Sequence, residues 1–329
     1  MLRIVFTPED LARVRVAGGP DPFWEVIASL HRLQTRTTPA VFEHWRARAR
    51  AALGDPATRA AARMLTTLAP RDVYFPDFLT PIESQYGFDA GLDALLSTPK
   101  RRLRSELSEL ARRQRLPGWT RRLADGDRDL LATLEQALRR YYAKVVRPSG
   151  HQLDAAVAAD RTQLAQAFLA DGTDGVLSSL GPTVRWSRPV LEVSYLVDRD
   201  VRLDGRGLLL VPSYFGWGNP VALADDSLPQ VLVYASGHRD SALPRQRNRS
   251  SSLAALLGLT RSTVLHIVST GASTTEIAAR AEISPATASY HASALRDAGL
   301  SAVSRQAGRV RHVTTPLGDQ LLEARDQAG

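Results

Sequence analysis

The sequence predicts an α+β protein: a mostly helical N-terminal domain with a small antiparallel sheet, then a C-terminal module of short helices and a β-hairpin. Three observations support this prediction. Amphipathic helical patterns fill residues 1–182, and β-branched apolar runs joined by turn residues fill 183–236. A polar, arginine-rich linker at 237–252 then separates these regions from residues 253–329, where short helices with clear start and stop signals precede an alternating hairpin.

Composition narrows the classes of function before any motif is considered. The chain of 329 residues has a formal net charge of +8, carried almost wholly by arginine, and its pI near 10.2 is compatible with binding a polyanion. The absence of cysteine excludes disulfides, thiolate metal sites and cysteine nucleophiles. We expect a cytoplasmic protein without a membrane partner, because no apolar run approaches the ~20 residues that span a bilayer and the N-terminus lacks a signal-peptide pattern.

Helices are predicted through most of the first 182 residues. Thr7 followed by Pro8 and two acidic residues is typical of a helix start, and amphipathic patterns predict further helices at 40–53, 58–68, 100–115, 128–146 and 152–170. Residues 71–88 are rich in aromatics, proline and glycine, so we expect a structured loop there.

Three apolar runs predict the sheet that packs on this helical domain. They are "VLEVSYLVD" at 190–198, "GLLLVPSYF" at 207–215 and "QVLVYAS" at 230–236. Because turn-rich segments join them, the simplest arrangement is a small antiparallel sheet.

Aromatic residues in and near these runs have two interpretations. Core packing is the favoured one. The alternative is an effector pocket for a planar or hydrophobic small molecule, which requires the fold to bring several distant side chains together. The candidate lining residues are Tyr74, Phe78, Trp186, Tyr214 and Trp217.

Local signals define two short helices in the C-terminal module. Ser273 and Glu276 fit a capping box at the start of the first helix. Ser284 followed by Pro285 fits the start of the second, and Gly299 fits its end. Two short helices joined by a turn of about three residues predict a helix-turn-helix.

The second helix has an unusual outer face. Projection at 100° per residue places Ala288, Ala292, Leu295 and Ala298 toward the core with His291 at its edge, and it places small residues on the other side with one aromatic: Ala286, Ser289, Tyr290 and Ser293. Small side chains allow a helix to approach base edges in the major groove, where hydroxyls form hydrogen bonds and apolar groups meet thymine methyls. The alternative is that this face packs against the N-terminal domain.

The segment "LSAVSRQAGRVRHVTT" at 300–315 favours the DNA interpretation. It alternates on both sides of a Gln306-Ala307-Gly308 tip and therefore predicts a β-hairpin, with Arg305, Arg309 and Arg311 at its tip and flanks. A hairpin placed after such a helix is the wing of a winged helix, and its arginines could contact phosphates or the minor groove. The alternative is exposed, solubilising charge. The last helix, "TPLGDQLLEARDQA" at 315–328, is a candidate dimerisation helix.

Residues 250–325 resemble the ArsR-type winged-helix transcriptional regulators. The resemblance lies in "TTEIAARAEISPATASYHASALRDAGL", in the arginine-rich wing and in "TPLGDQLL". It implies a homodimer that reads a pseudo-palindromic DNA operator, with Ser284, Thr287, Ser289, Tyr290, His291 and Ser293 near the DNA. Two features depart from the family: Ala292 stands where leucine is usual, and the segment "TEIAARAE" lacks the cysteine motif of the metal sensors.

The N-terminal region resembles that of long actinobacterial ArsR-type regulators, in which it has no assigned activity. The segments that carry this resemblance are "FTPEDLARVRVAGGPDPFWEV", "PDFLTP" and "GLLLVPSYFGWG".

The favoured hypothesis is a sequence-specific DNA-binding transcriptional regulator, acting as a homodimer and as a repressor, whose N-terminal domain could sense a small-molecule effector. The alternative is an N-terminal enzyme or protein-interaction domain with the winged helix as a targeting module. The sequence contains no GxGxxG motif, phosphate-binding loop or nucleophile elbow, and its seven histidines lack metal-ligand spacing. We therefore expect no enzymatic activity, no cofactor and no metal.

Overall fold

The computed structural model describes residues 1–35, 39–71, 74–195, 197–236, 257–269, 271–281, 283–306 and 309–319. The chain divides into two compact units, Met1–Pro244 and Arg245–Gly329. The predicted linker at 237–252 lies outside the described residues. The described part contains both helices and small sheets and is mostly helical, so the predicted α+β class is confirmed.

Most of the first unit is helical. Several of its helices begin at an aspartate cap: the carboxylate of Asp21 accepts from the N–H groups of Phe23 and Trp24 at 3.0 and 3.1 Å, and Asp55 and Asp127 cap later helices. The helices are α1 Pro8–Ala12, α2 Pro22–Gln34, α3 Glu43–Ala52, α4 Pro56–Leu68, α5 Phe88–Leu96, α6 Lys100–Arg113, α7 Trp119–Ala124, α8 Arg128–Tyr141 and α9 Gly150–Ser178.

One of the predicted helices ends differently from the prediction. The predicted helix at 128–146 is α-helical to Tyr141 and continues as a π-helical turn, Tyr142–Val146. In α9 the regular helix ends at residue 170, as predicted, because Asp171 and Gly172 are non-helical, with a φ of +58° at Gly172, and a second helical stretch follows this kink.

The prediction of one small antiparallel sheet is wrong. The first unit holds two four-stranded mixed sheets among its described residues, in the orders β3-β4-β1-β5 and β2-β6-β8-β7. Strand β1 is antiparallel to β4 and parallel to β5, and β6 is parallel to both β2 and β8. The strands are β1 Leu2–Val5, β2 Arg15–Val16, β3 Val184–Ser187, β4 Val190–Val193, β5 Arg199–Arg202, β6 Leu209–Ser213, β7 Val221–Ala222 and β8 Val231–Ala235.

The error has a physical cause. Strands β1 and β2 are four and two residues long, so they are too short to show an alternating pattern in a region where helical patterns dominate. Their stability comes from pairing with strands about 190 residues away in sequence, as in the pairs Leu2–Val193 and Arg15–Leu209. A pattern read along the chain carries no information about such partners.

The second sheet separates two hydrophobic cores. Along β6, Leu209 and Val211 belong to the core formed with the helices, whereas Leu210 between them belongs to the core formed with the first sheet and α9. All five residues of β6 are buried. Because side chains alternate across a strand, a strand buried on both faces has apolar residues at successive positions, which explains the run "LLLV" at 208–211.

A buried carboxylate joins α2 to the end of β6. Glu25 is 1% exposed and accepts hydrogen bonds from the N–H groups of Tyr214 and Phe215 at 2.6 and 3.0 Å and from the hydroxyl of Ser213 at 3.2 Å. Burial raises the pKa of Glu25 to about 7, although these three donors act in the opposite direction.

The second unit consists of three helices and a hairpin among its described residues. They are α10 Leu259–Val268, α11 Thr274–Ala281, α12 Pro285–Asp297, β9 Ser301–Gln306 and β10 Arg309–Thr314, and a further helical turn lies at 316–319. One core joins the helices, with Leu265, Ile277 and Leu295 almost fully buried. Residues 320–329, which include most of the predicted dimerisation helix, lie outside the described residues.

The predicted start and stop signals of this unit are confirmed. Ser273 and Glu276 form the reciprocal capping box: the Ser273 N–H donates to the Glu276 carboxylate at 2.7 Å, and the Glu276 N–H donates to the Ser273 hydroxyl at 3.3 Å. At the end of α12, Gly299 has a φ of +71°. This conformation lets the Leu300 N–H donate to the Leu295 carbonyl at 2.9 Å.

Across the described ranges, none of the helices combines the length and the apolar character that crossing a lipid bilayer requires.

Candidate functional site

The start of α12 is set by its cap. The Ser284 hydroxyl accepts from the Thr287 N–H at 3.1 Å and shares a 2.7 Å hydrogen bond with the Thr287 hydroxyl. Before the cap, the Ile283 N–H donates to the Ala278 carbonyl at 3.0 Å, which ties the turn to α11. Both hydroxyls proposed for DNA contact at this end are therefore already held in the cap.

The two faces of α12 differ as projected, with one exception. Ala288, Ala292 and Leu295 are at most 1% exposed. Ala286, Ser289 and Tyr290 are exposed and Ser293 is half-buried, with its hydroxyl accepting from Arg296 at 3.2 Å. The placement of Ala298 on the core face is wrong: the helix ends at Asp297, and Ala298 is an exposed C-cap.

Tyr290 is the most prominent side chain of the outer face. It is 62% exposed, and its ring meets the His291 ring edge-on at 5.2 Å between centroids. His291 is half-buried, and its Nδ1 has no hydrogen-bond partner among the described residues. The face therefore combines one large aromatic with alanine and serine side chains, and it stands clear of the core of its own unit.

The hairpin follows directly after α12. Its strands pair from Ser301–Thr314 to Gln306–Arg309, so two residues remain for the predicted tip. Ala307, Gly308 and the side chains of Arg305 and Arg309 lie outside the described residues.

Arg311 has a structural role that the sequence did not indicate. Its guanidinium donates to the Gly271 carbonyl at 2.7 Å and lies 3.6 Å from the Glu276 carboxylate, with the side chain 46% exposed. Arg311 therefore links strand β10 to the turn before α11. Its neighbour His312 is 7% exposed and reaches the Thr274 hydroxyl at 3.2 Å through Nε2. The one signal for these contacts in the sequence is the alternation of side chains along the strand, which places Arg311 outward and His312 inward.

A cavity of about 660 Å³ lies in the first unit, where α2, the loop around Tyr74, the segment following β6 and the C-terminal end of β8 meet. Two of the five residues predicted for an effector pocket, Tyr74 and Trp217, line it. Other aromatic lining residues are Trp24, Phe75, Tyr195, Phe215 and Tyr234.

The other three residues proposed for the pocket do not line this cavity. Phe78 is fully buried in the helical core. Trp186 packs edge-on against Phe6 at 5.3 Å and donates to Asp174 at 2.7 Å, on the side of the first sheet. Tyr214 packs against Phe42 at 5.7 Å. The side chains of neighbours along a strand point to opposite faces, so a set chosen by sequence proximity mixes different surroundings.

Within the described residues, no group of three or more histidine, aspartate or glutamate side chains is placed to hold a metal ion. No protein-family model, curated protein or solved structure matches the chain.

Proposed function

We propose that the chain is a sequence-specific DNA-binding transcriptional regulator, in which Arg245–Gly329 is a winged helix-turn-helix and α12 is the recognition helix. The outer face of α12 is the observation that carries this proposal. A helix of 13 residues with Tyr290 62% exposed beside alanine and serine has the profile that major-groove insertion needs, since long side chains would hold the helix axis away from the base edges.

The order of the elements supports the same function. Helix α11 precedes α12 across a short turn, and the hairpin β9–β10 follows at Ser301. In a winged helix the first of these helices crosses the DNA backbone, the second enters the groove and the hairpin meets the backbone beside it. Arg305 and Arg309 occupy the strand ends next to the hairpin tip, where a basic residue would be closest to phosphates.

Homodimerisation and repression are further parts of the proposal. Two copies of α12 would lie about 34 Å apart, one turn of DNA, and would read a pseudo-palindromic operator in the cytoplasm. The exposed Leu317 of the turn at 316–319 is consistent with an apolar helix face that a second copy could cover.

The test is a fluorescence-anisotropy titration of the full chain with DNA from upstream of its own gene and with a random duplex of equal length. We expect the upstream fragment to bind at least a hundredfold more tightly than the random duplex at physiological salt, and affinity to fall steeply with salt concentration. Equal binding to both duplexes would refute sequence-specific recognition. No binding to either would favour a protein-interaction module instead.

A further inference from the structure

Among the described residues that line the cavity of the first unit, basic side chains outnumber acidic ones. Five of its lining residues are basic or imidazole side chains: His31, Arg32, Arg71, Arg113 and Arg199. Asp77 is the single acidic residue among the described lining residues, and its carboxylate is already occupied by the N–H groups of Ala224 and Asp225 at 3.1 and 2.8 Å.

Two of these arginines have partners in the folded chain. The Arg113 guanidinium pairs with Glu109 at 2.8 Å and lies over the Tyr74 ring at 5.4 Å. Arg199 pairs with Asp226 and donates to the carbonyls of Leu223 and Ala224 at 2.6 and 2.9 Å. They form part of the wall and are not free to bind an anion without losing these contacts.

Arg32 and Arg71 are different. Arg32 is 7% exposed and its Nε has no hydrogen-bond partner among the described residues. Within the described ranges, no carboxylate lies at ion-pair distance from Arg32 or Arg71. Burial lowers the pKa of Arg32 to about 10, and the nearby charge of Arg71 contributes to the same shift. A buried cation with no counter-ion among the described residues is costly to the fold, and its position beside the cavity points to a site for an anion.

The third member of this cluster, His31, has one ring nitrogen without a hydrogen-bond partner among the described residues. His31 Nε2 is buried without a partner among the described residues, while the ring packs edge-on against Phe75 at 5.7 Å. Burial lowers the pKa of His31 to about 4, with Arg32 and Arg71 adding to the effect. A neutral imidazole beside two guanidiniums is a polar group that a ligand could pair with.

The remaining walls are apolar and aromatic. Trp24, Tyr74, Phe75 and Trp217 surround the space together with Ile27 and Val221. Flat aromatic walls bury planar ring systems well, and a volume of about 660 Å³ lies within the usual range for small-molecule sites. The cavity also lies beyond the carboxyl ends of the parallel strands β6 and β8, the common position of ligand sites in such sheets.

We propose that this cavity binds a small aromatic carboxylate, with the carboxylate on Arg32 and Arg71 and the ring system between the aromatic walls. The assignment of this ligand as the effector rests on the proposed function, but its binding to the cavity does not.

Isothermal titration calorimetry of the full chain tests the site with three probes: 1-naphthoate, its neutral isostere 1-naphthamide, and acetate, which has the charge without the ring. We expect 1-naphthoate to bind at least tenfold more tightly than either of the others, because a charge-assisted contact and ring burial are both needed. Failure of 1-naphthoate to bind at millimolar concentration, or equal affinity for 1-naphthoate and 1-naphthamide, overturns the proposal.

Two variants locate the anion. Arg71→Gln alters an exposed arginine and should leave the fold intact while it weakens 1-naphthoate binding about tenfold. Arg32→Met should weaken it at least as much, with folding checked by thermal unfolding. The matched control is Arg101→Gln, which removes an exposed arginine that does not line the cavity and should bind as the wild type does. Unchanged affinity in both cavity variants overturns the site. No DNA is present in the calorimetry experiment. Its result therefore tests ligand binding to the cavity separately from the DNA titration, which tests the proposed function.

Discussion

Truncation of the Tyr290 side chain should weaken DNA binding without destabilising the fold, so it distinguishes the two roles of this residue. The ring is 62% exposed and meets the His291 ring edge-on at 5.2 Å between centroids. Truncation to alanine therefore removes little buried area, and we expect the free energy of unfolding to change by no more than about 1 kcal/mol. In a DNA complex the same ring would lie against base edges, where its loss should cost about 1–3 kcal/mol on the target sequence.

The assay is fluorescence anisotropy with the target duplex and with a random duplex at one salt concentration. The expected loss corresponds to roughly 5- to 150-fold in affinity for the target and to little change for the random duplex. Tyr86→Ala is the matched control, because Tyr86 is 76% exposed and lies in the first unit. An equal loss on both duplexes, or none on the target, would show that Tyr290 does not read bases.

Three further predictions concern the wing, the cap and a buried carboxylate. Arg309→Ala should lower the slope of log affinity against log salt by about one; an unchanged slope contradicts a phosphate contact. Ser284→Ala removes the acceptor of the Thr287 N–H and should cost about 1 kcal/mol in thermal unfolding, with Ser289→Ala as a near-neutral control. Because burial raises the pKa of Glu25 to about 7, its stabilising effect is complete below about pH 4.5 and is lost as pH rises through 7. Urea unfolding followed by tryptophan fluorescence should therefore show that Glu25 contributes a decrease of up to about 3 kcal/mol in the free energy of unfolding between pH 5 and 8. Glu25→Gln should remove this part of the pH dependence and leave the part contributed by Asp21, whose pKa burial raises to about 6.

Tryptophan fluorescence is a specific probe for the last of these predictions. All five tryptophans, at positions 24, 45, 119, 186 and 217, lie in the first unit. Tryptophan fluorescence therefore reports unfolding of the first unit, which contains Glu25, and does not report unfolding of the second unit. Unfolding of α12 must be measured by circular dichroism.

Local chemistry made the second unit largely predictable from the sequence. Ser273, Ser284 and Gly299 act on backbone groups within a few residues of themselves, so their effects are visible in a short window. The division of α12 into a buried and an exposed face follows from the helical period for the same reason. The prediction for Ala298 was wrong because the projection assumed that the helix continues through this residue, which is its C-cap.

The first unit was less predictable because its sheets depend on long-range pairing. The Leu2–Val193 pair joins residues about 190 positions apart in the sequence, and the residues around either one do not indicate its partner. The cavity has the same origin, since helix α2 contributes His31 and Arg32 while the segment after β6 contributes Trp217. Sequence reasoning could identify aromatics with suitable chemistry, but the faces on which Trp186 and Tyr214 lie depend on strand positions that only the fold supplies.

The most direct measurement is selection of binding sites by the full chain from a random DNA library, followed by the same selection with the Tyr290→Ala variant. If the outer face of α12 reads bases, the wild type should enrich one pseudo-palindromic motif, and the variant should lose preference at the same position of each half-site while it retains the others. No enriched motif for the wild type, or an identical motif for both proteins, would contradict the account.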